Sequence, residues 1–384
     1  MRFAPILRHL LIAASLTVAF APAALANPTM LFDLNSGRIY GHQDAFKRWY
    51  PASITKLMTA YVAYRAIANG ELTLESPIRM SKNAASEPPS KMGFKPGSIM
   101  TLDNALKMML VKSANDIAMA IGENVGGSEA AFVERMNAEA ARLGMTGTRY
   151  ANPNGLFSPE QYTTARDQAL LVTAIRKEFP QYSGYFTIEG LQLGKRPIKN
   201  FNLLVGRYNG TDGMKTGFVC ESGFNMIGSA TRDGRTLVAI ALGQPSATRR
   251  AEAVATMLDE GFSRPQPGTD TISSLPAYGA SDNVAANLRA EICPKPVKGK
   301  AQEEVSEAPL TKVISPFQLP LAHKPRLVKI SLGGATGPIP LARRGQADED
   351  LTDVPVPTWR PDLPPPSAAS AAAVQGDAPA ARTK

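Results

Sequence analysis

The sequence is poor in the residues that most often carry metal and redox chemistry. Its 384 residues include two cysteines, three histidines and two tryptophans. Cys220 and Cys293 have no CxxC-type spacing, which excludes a thiolate metal centre and a disulfide-dense scaffold. His9 lies near the N-terminus and His323 near the tail, leaving only His42 in the central region. A histidine-based triad and a histidine-rich metal site are therefore not expected, and any catalysis must use another base. No metal or organic cofactor is expected. No block of lysine and arginine marks a nucleic-acid stripe, so no nucleic-acid partner is expected. After the first residues, no apolar run approaches the length of a spanning helix.

What is present is ordinary globular material, 44% apolar and 20% charged. That composition excludes full disorder and fibrous classes and suits one large domain or two ordinary ones. Arg2 and Arg8 form a positive start, Leu10 to Phe20 is apolar, and Ala24-Leu25-Ala26 reads as a small-x-small cleavage site. Residues 1–26 are thus expected to be a cleavable leader, with the mature chain starting at Asn27. Losing the two leader arginines lowers the net charge from +9 to +7. That surplus suits an anionic polymer or membrane surface, though weakly.

Residues 29–50 read as a β-hairpin, with the Asn35-Ser36-Gly37 turn between two apolar runs. A helix is predicted from about Ser53 to Asn69, stopped by Gly70. A second helical region, Asp103 to Val125, is interrupted at Lys112-Ser113, and a third runs from Ala130 to Leu143. Past Asn200 come strands at Gly213–Val219, Phe224–Ala230 and Thr236–Leu242, the last two joined through Arg232-Asp233-Gly234. A helix follows over Arg249 to Phe262. Strands at both ends with helices between predict an α/β (α+β) fold, an antiparallel sheet covered by helices. The organisation expected is a main domain over 27–263 and a linker with a small β-rich appendage over 264–341. A Pro/Ala-rich disordered tail is expected over 342–384.

Ser53-Ile54-Thr55-Lys56 stands at the start of the first helix, with serine and lysine one turn apart on one face. A serine hydroxyl becomes a useful nucleophile only when a base takes its proton. Lysine serves as that base only as a neutral amine, which burial or a nearby cation favours. The plain alternative is a capping serine and a solvated lysine, and SxxK arises by chance about once in such a chain. Lys215-Thr216-Gly217 begins a β run. Its glycine permits close approach of a ligand backbone, and its lysine and threonine can hold a carboxylate. The alternative there is an edge strand with a solubilising lysine. Ser-x-Asn occurs at Ser81, Ser113 and Ser281. Only Ser113-Ala114-Asn115 breaks a helical apolar frame between the other two motifs, so Ser113 is chosen.

SxxK, SxN and KTG in this order form the signature of penicillin-interacting serine enzymes. With Ala151-Asn152-Pro153-Asn154-Gly155-Leu156, Thr164-Ala165-Arg166-Asp167 and Asp212-Gly213-Met214, residues 29–262 closely resemble the D-alanyl-D-alanine carboxypeptidases, the low-molecular-mass penicillin-binding proteins. The resemblance implies a β-lactamase/transpeptidase-like fold with a helical subdomain and a periplasmic serine D-Ala-D-Ala carboxypeptidase. Its implied partners are peptidoglycan stem peptides, with β-lactams as covalent inhibitors. By the same resemblance Ser53 is the nucleophile, neutral Lys56 the general base, helped by Lys215, and Ser113 the proton relay to the leaving amine. Asn115 would bind Lys56 and a substrate amide. The backbone N–H groups of Ser53 and Phe218 would form the oxyanion hole. Thr216 and Arg250 would take the terminal carboxylate.

Two positions depart from the family pattern. Val219 replaces a hydroxyl residue common in relatives, and Phe201 lies where some relatives have an arginine. The tail is no amphipathic helix, so no stable membrane anchor is expected. A D-Ala–diaminopimelate endopeptidase, a β-lactamase and a catalytically silent peptidoglycan-binding module are the competing readings. The β-lactamase reading lacks a Glu-x-x-x-Asn loop between Asn115 and Lys215. In an oxidising compartment Cys220 and Cys293 are candidates for a bridge, with free thiols as the alternative.

Overall fold

The computed structural model describes residues 27–265, 267–277, 284–293 and 323–340. The leader, the 294–308 linker and the 342–384 tail lie outside the described residues. Strands β1 (Thr29–Asp33) and β2 (Ile39–Gln43) form the first hairpin. They join β7 (Thr211–Val219), β8 (Gly223–Arg232) and β9 (Arg235–Gln244) in an antiparallel sheet ordered β2-β1-β9-β8-β7. Arg232 pairs with Arg235. The Asp233-Gly234 turn between them has φ of 49° and 76°, the left-handed pair that a tight hairpin needs.

The two-residue period of the strands sorts their side chains into two cores. Met30, Phe32, Val238 and Ile240 face a helical core, while Leu31, Leu237, Ala239 and Ala241 face the opposite side. Helix α1 (Lys56–Ala68) is preceded by a 3₁₀ turn over Ala52–Thr55, so the predicted helix begins in a tighter form. After it come β3 (Pro77–Arg79), α2 (Lys82–Ser86) and β4 (Ile99–Thr101). Helices α3 (Leu102–Val111) and α4 (Asn115–Gly126) flank the expected break. The next helices are α5 (Glu129–Arg142) and α6 (Ala165–Glu178). α1, α3, α4 and α6 contribute to the first core. A second 3₁₀ stretch, Pro180–Thr187, leads to the hairpin β5 (Gly190–Leu193) and β6 (Arg196–Lys199). α7 (Ala247–Ser263) covers the other face of the main sheet. There a Cβ on Gly228 would lie 2.4 Å from Val254, so the bare glycine allows helix and strand to touch.

Cys220 and Cys293 are bridged, with Cα atoms 5.6 Å apart. The bridge brings the short α8 (Arg289–Ile292) to the end of β7. The Leu288 amide donates to the Glu221 carbonyl at 2.8 Å, and Arg289 meets the Glu221 carboxylate at 2.7 Å. The described part of the β-prone stretch near the tail is a single strand, β10 (Leu327–Ile330), built into the main body. It pairs in parallel with β5 in a sheet ordered β10-β5-β6. Among the described residues no helix is long and apolar enough to cross a membrane.

Candidate active site

The 3₁₀ turn decides how Ser53 and Lys56 meet. Side chains three apart eclipse in a 3₁₀ helix, and Lys56 Nζ lies 2.8 Å from Ser53 Oγ. Ser53 caps no helix: Pro51 holds the cap position of the 3₁₀ turn and Thr55 that of α1. Lys56 is no solvated side chain either, being 0% exposed. Its amine also touches Asn115 Oδ1 at 2.8 Å and the Asn154 carbonyl at 2.5 Å. Those two oxygens can only accept. A neutral amine gives them its two N–H groups and keeps its lone pair for the Ser53 hydroxyl, which carries a proton.

Asn115 is oriented by its own contacts. Its Nδ2 donates to the Pro88 carbonyl at 3.0 Å, which leaves Oδ1 for Lys56. Its backbone N–H donates to the Ser90 carbonyl at 2.7 Å, and the Ser90 hydroxyl donates to the Lys112 carbonyl at 3.0 Å. Asp116 accepts from the Met92 amide at 3.0 Å and the Gly93 amide at 2.8 Å. The 88–93 loop is thereby fastened beneath the α3–α4 junction. Ser113 sits in that junction at φ 61°, buried, in a backbone region that costs a non-glycine residue about 1–3 kcal/mol. Ala52, next to Ser53, is also left-handed at φ 49°. Such outliers persist where surrounding structure holds them. Here one is Ser113 itself and the other directly precedes Ser53, the two serines singled out by motif.

Strand β7 closes the site. Lys215 Nζ lies 2.9 Å from Ser113 Oγ and 2.9 Å from the Thr216 carbonyl. Gly217 passes so close to the nucleophile turn that a Cβ there would be 2.9 Å from the Ser53 nitrogen. Gly155, at φ 86°, is tighter still, since its Cβ would lie 2.0 Å from the Ala52 carbonyl oxygen. Thr216 is buried, Phe218 is partly exposed, and the Phe218 ring centre is 4.2 Å from that of Phe224. Arg250 is 1% exposed and donates to the Gly217 carbonyl at 3.1 Å, so it grips the strand carrying the motif.

The structure therefore brings Ser53, Lys56, Ser113, Asn115, Lys215, Thr216 and Gly217 together. Several contributors had no catalytic signature in the sequence. The Asn154 carbonyl is backbone, although Asn154 lies within the quoted Asn-Pro-Asn-Gly-Leu phrase. Asn225 on β8 donates from Nδ2 to the Tyr50 and Pro51 carbonyls at 2.9 and 3.1 Å, tying the nucleophile turn to the sheet. Glu87 is a nearby carboxyl that burial, then Glu129, pushes above the usual range, opposed by the Asn154 side chain and Lys56. Burial, then Glu221, raises the Tyr50 phenol.

The D-alanyl-D-alanine carboxypeptidase family model matches residues 16–246. The chain belongs to the D-alanyl-D-alanine carboxypeptidase family. Among family relatives, D-alanyl-D-alanine carboxypeptidase DacF of Bacillus subtilis is 31% identical over 247 residues, covering 62% of each chain. DacC of Escherichia coli is 32% identical over 249 residues, covering 63% of this chain and 62% of that protein. The chain thus spans about three-fifths of the length of these relatives. The crystal structure of D-alanyl-D-alanine carboxypeptidase DacD from Francisella tularensis aligns at TM-score 0.60 and 28% identity, covering 69% of this chain and 74% of that one. Penicillin-binding protein D2 of Listeria monocytogenes, in its cefotaxime-bound form, aligns at TM-score 0.57 and 28% identity, covering 62% and 97%.

Proposed function

We propose that this chain is a serine D-Ala-D-Ala carboxypeptidase that trims peptidoglycan stem peptides through an acyl-enzyme on Ser53. The observation that carries the reading is the Lys56 amine, buried between Ser53 Oγ and two oxygens that can only accept. Ser53 Oγ attacks the carbonyl carbon of the penultimate D-alanine while Lys56 Nζ takes the hydroxyl proton. The negative oxygen that forms is stabilised by the N–H groups of Ser53 and Phe218. The bond to the terminal D-alanine nitrogen breaks as Ser113 Oγ, beside Lys215, gives its proton to the leaving amine and takes in exchange the one Lys56 had received from Ser53, which leaves Lys56 neutral again. Water then attacks the Ser53 ester, with Lys56 again as base, releasing the shortened peptide. Thr216 receives the terminal carboxylate, and Arg250 supports it from behind the strand through Gly217.

A β-lactam presents a strained amide in place of the scissile bond and acylates the same serine. The cefotaxime-bound relative supports this part of the reading. The leader-like start of the sequence supports export to the periplasm. The catalytic domain is assigned to residues 27–263, with 323–340 packed against it through Ile330 in its core.

The test is D-alanine release from a peptide ending Lys-D-Ala-D-Ala, with a folded Ser53→Ala control. Release by the wild-type chain alone establishes reaction and nucleophile. Well-folded chain that releases nothing rejects the carboxypeptidase reading. Cross-link cleavage in its place identifies an endopeptidase, and rapid β-lactam turnover a β-lactamase.

A further inference from the structure

We propose that residues 323–340 are an in-chain brace that holds α3 against the β5–β6 hairpin and thereby positions Ser113. The role assigned to Ser113 rests on the reaction proposed above. The segment lies well beyond residue 246, where the family match ends, yet it is built into the main body.

On one side, Leu327 to Ile330 pair residue by residue with Gly190 to Leu193. A Cβ on Gly190 would lie 2.7 Å from Leu327, so the strands meet without clearance. Glu189 anchors the start of the segment, taking the Arg326 amide at 2.8 Å and the His323 ring at 2.9 Å. On the other side, the Ser331 carbonyl accepts from Asn104 of α3 at 3.2 Å. The Gly333 amide donates to the Ile99 carbonyl of β4 at 2.7 Å, and the Gly337 amide to the Glu75 carbonyl at 3.0 Å. Ile330 is buried in the main core between these attachments.

The two elements that the brace joins meet again at the site. α3 ends at Val111, with Lys112 as its cap and Ser113 the next residue. The hairpin continues through Asn200, whose side chain donates to the Ile188 carbonyl at 2.8 Å and accepts from the Asn202 amide at 2.8 Å, pinning both flanks of Phe201. The Lys112 amine stands 4.8 Å over the Phe201 ring, a cation–π contact one residue from Ser113. Brace, α3, the Lys112–Phe201 contact and the hairpin therefore close a mechanical ring. Releasing the brace opens that ring at the end remote from the chemistry, and Ser113 is held at a backbone conformation that needs support. Misplacing a reacting group by about 1 Å is enough to cost about 100-fold in rate.

The test uses the full chain carrying Gly337→Val, because a Cβ there would lie 2.6 Å from the Ser76 nitrogen and displace the segment. The variant is expected to lose about 10- to 100-fold in kcat for D-alanine release. Hydrogen exchange should rise in 323–340, 102–115 and 196–205, with β1, β8 and β9 still protected. An excess of a synthetic peptide of wild-type sequence 323–340 should restore both rate and protection. Ile330→Asn should reproduce the pattern. A displaced segment with unchanged kcat and unchanged exchange in 102–115 overturns the brace. So does a loss of rate with exchange raised uniformly and no rescue by peptide. A wild-type chain that releases no D-alanine rejects the reaction instead, and the exchange comparison then decides the brace separately.

Discussion

Ser113 Oγ lies 2.9 Å from Lys215 Nζ, which joins the α3–α4 junction to edge strand β7 across 102 residues of sequence. Neither side chain is more than 2% exposed, so each fixes the other's orientation. If the pair moves one proton, it acts as a unit. Ser113→Ala and Lys215→Ala should each lower kcat for D-alanine release by about 10²- to 10⁴-fold. The double variant should lose little more than the worse single one. Independent, multiplying losses in steady-state kinetics would separate the two roles.

Lys56→Ala should slow acylation of Ser53 by about 10²- to 10⁴-fold, the usual contribution of a positioned general base. Lys56→Arg should not restore it, because a guanidinium stays protonated and has no lone pair to offer. Labelling by a fluorescent penicillin under second-order conditions reads this directly. Labelling at the wild-type rate in either variant would assign the proton transfer elsewhere.

Asn225 is fully buried, donates to the Tyr50 and Pro51 carbonyls, and accepts from the Gly243 amide at 2.9 Å. Asn225→Ala leaves buried groups without a partner, at about 1–3 kcal/mol each. Urea unfolding should show that loss. Penicillin acylation should slow as well, because the same bonds hold the turn that carries Ser53.

Acid should release the start of the C-terminal segment. Burial raises the Glu189 carboxyl, but the Arg326 amide, the His323 ring and the charges of both outweigh it, leaving the group below its ordinary value. Arg207 also faces Glu189. A carboxyl depressed by docking contributes fully above its undocked value and loses that contribution as pH falls through the depressed one. Exchange in 323–330, corrected for intrinsic rates, should therefore accelerate on acidification through the carboxylate range. Glu189→Gln should remove that dependence and show faster exchange already at neutral pH.

The Cys220–Cys293 bridge closes a loop with a sequence separation of 73. Cys220→Ser with Cys293→Ser should lower unfolding stability by about 2–5 kcal/mol. Because Cys220 directly follows β7, local exchange at Val219 and Glu221 should rise first. Denaturant titration with exchange at those amides checks both effects.

Much of the fold was legible where local signals agreed. The first hairpin, α1, the break between α3 and α4, and the β8–β9 hairpin all carried apolar periodicity with matching turn residues. The stretch from 163 to 200 was less readable. α6 was not predicted, although Thr164 caps it with a hydroxyl that accepts from the Asp167 amide at 3.0 Å. The hairpin that follows had no such signal. Arg196-Pro197-Ile198-Lys199 buries only Ile198, and Leu327 to Ile330 buries only Ile330. The first takes its strand conformation from pairing with β5, which that segment alone does not show; the second lies in a stretch that reads as β-prone, but its partner β5 does not show there.

For the site, the motifs, their order and the family resemblance picked out Ser53, Lys56, Ser113, Asn115, Lys215, Thr216 and Gly217 as candidates, because residue types are written in the sequence. Proximity was not contained there. Tertiary structure decided that Lys56 is buried, that the Asn154 carbonyl takes one of its N–H groups, and that Arg250 grips Gly217 from within. It also decided that the cysteines meet and that residues 323–340 return to the main body. The physical reason is the same in each case. Side-chain chemistry is a local property of the sequence, whereas burial, backbone acceptors and strand partners exist only once distant segments pack.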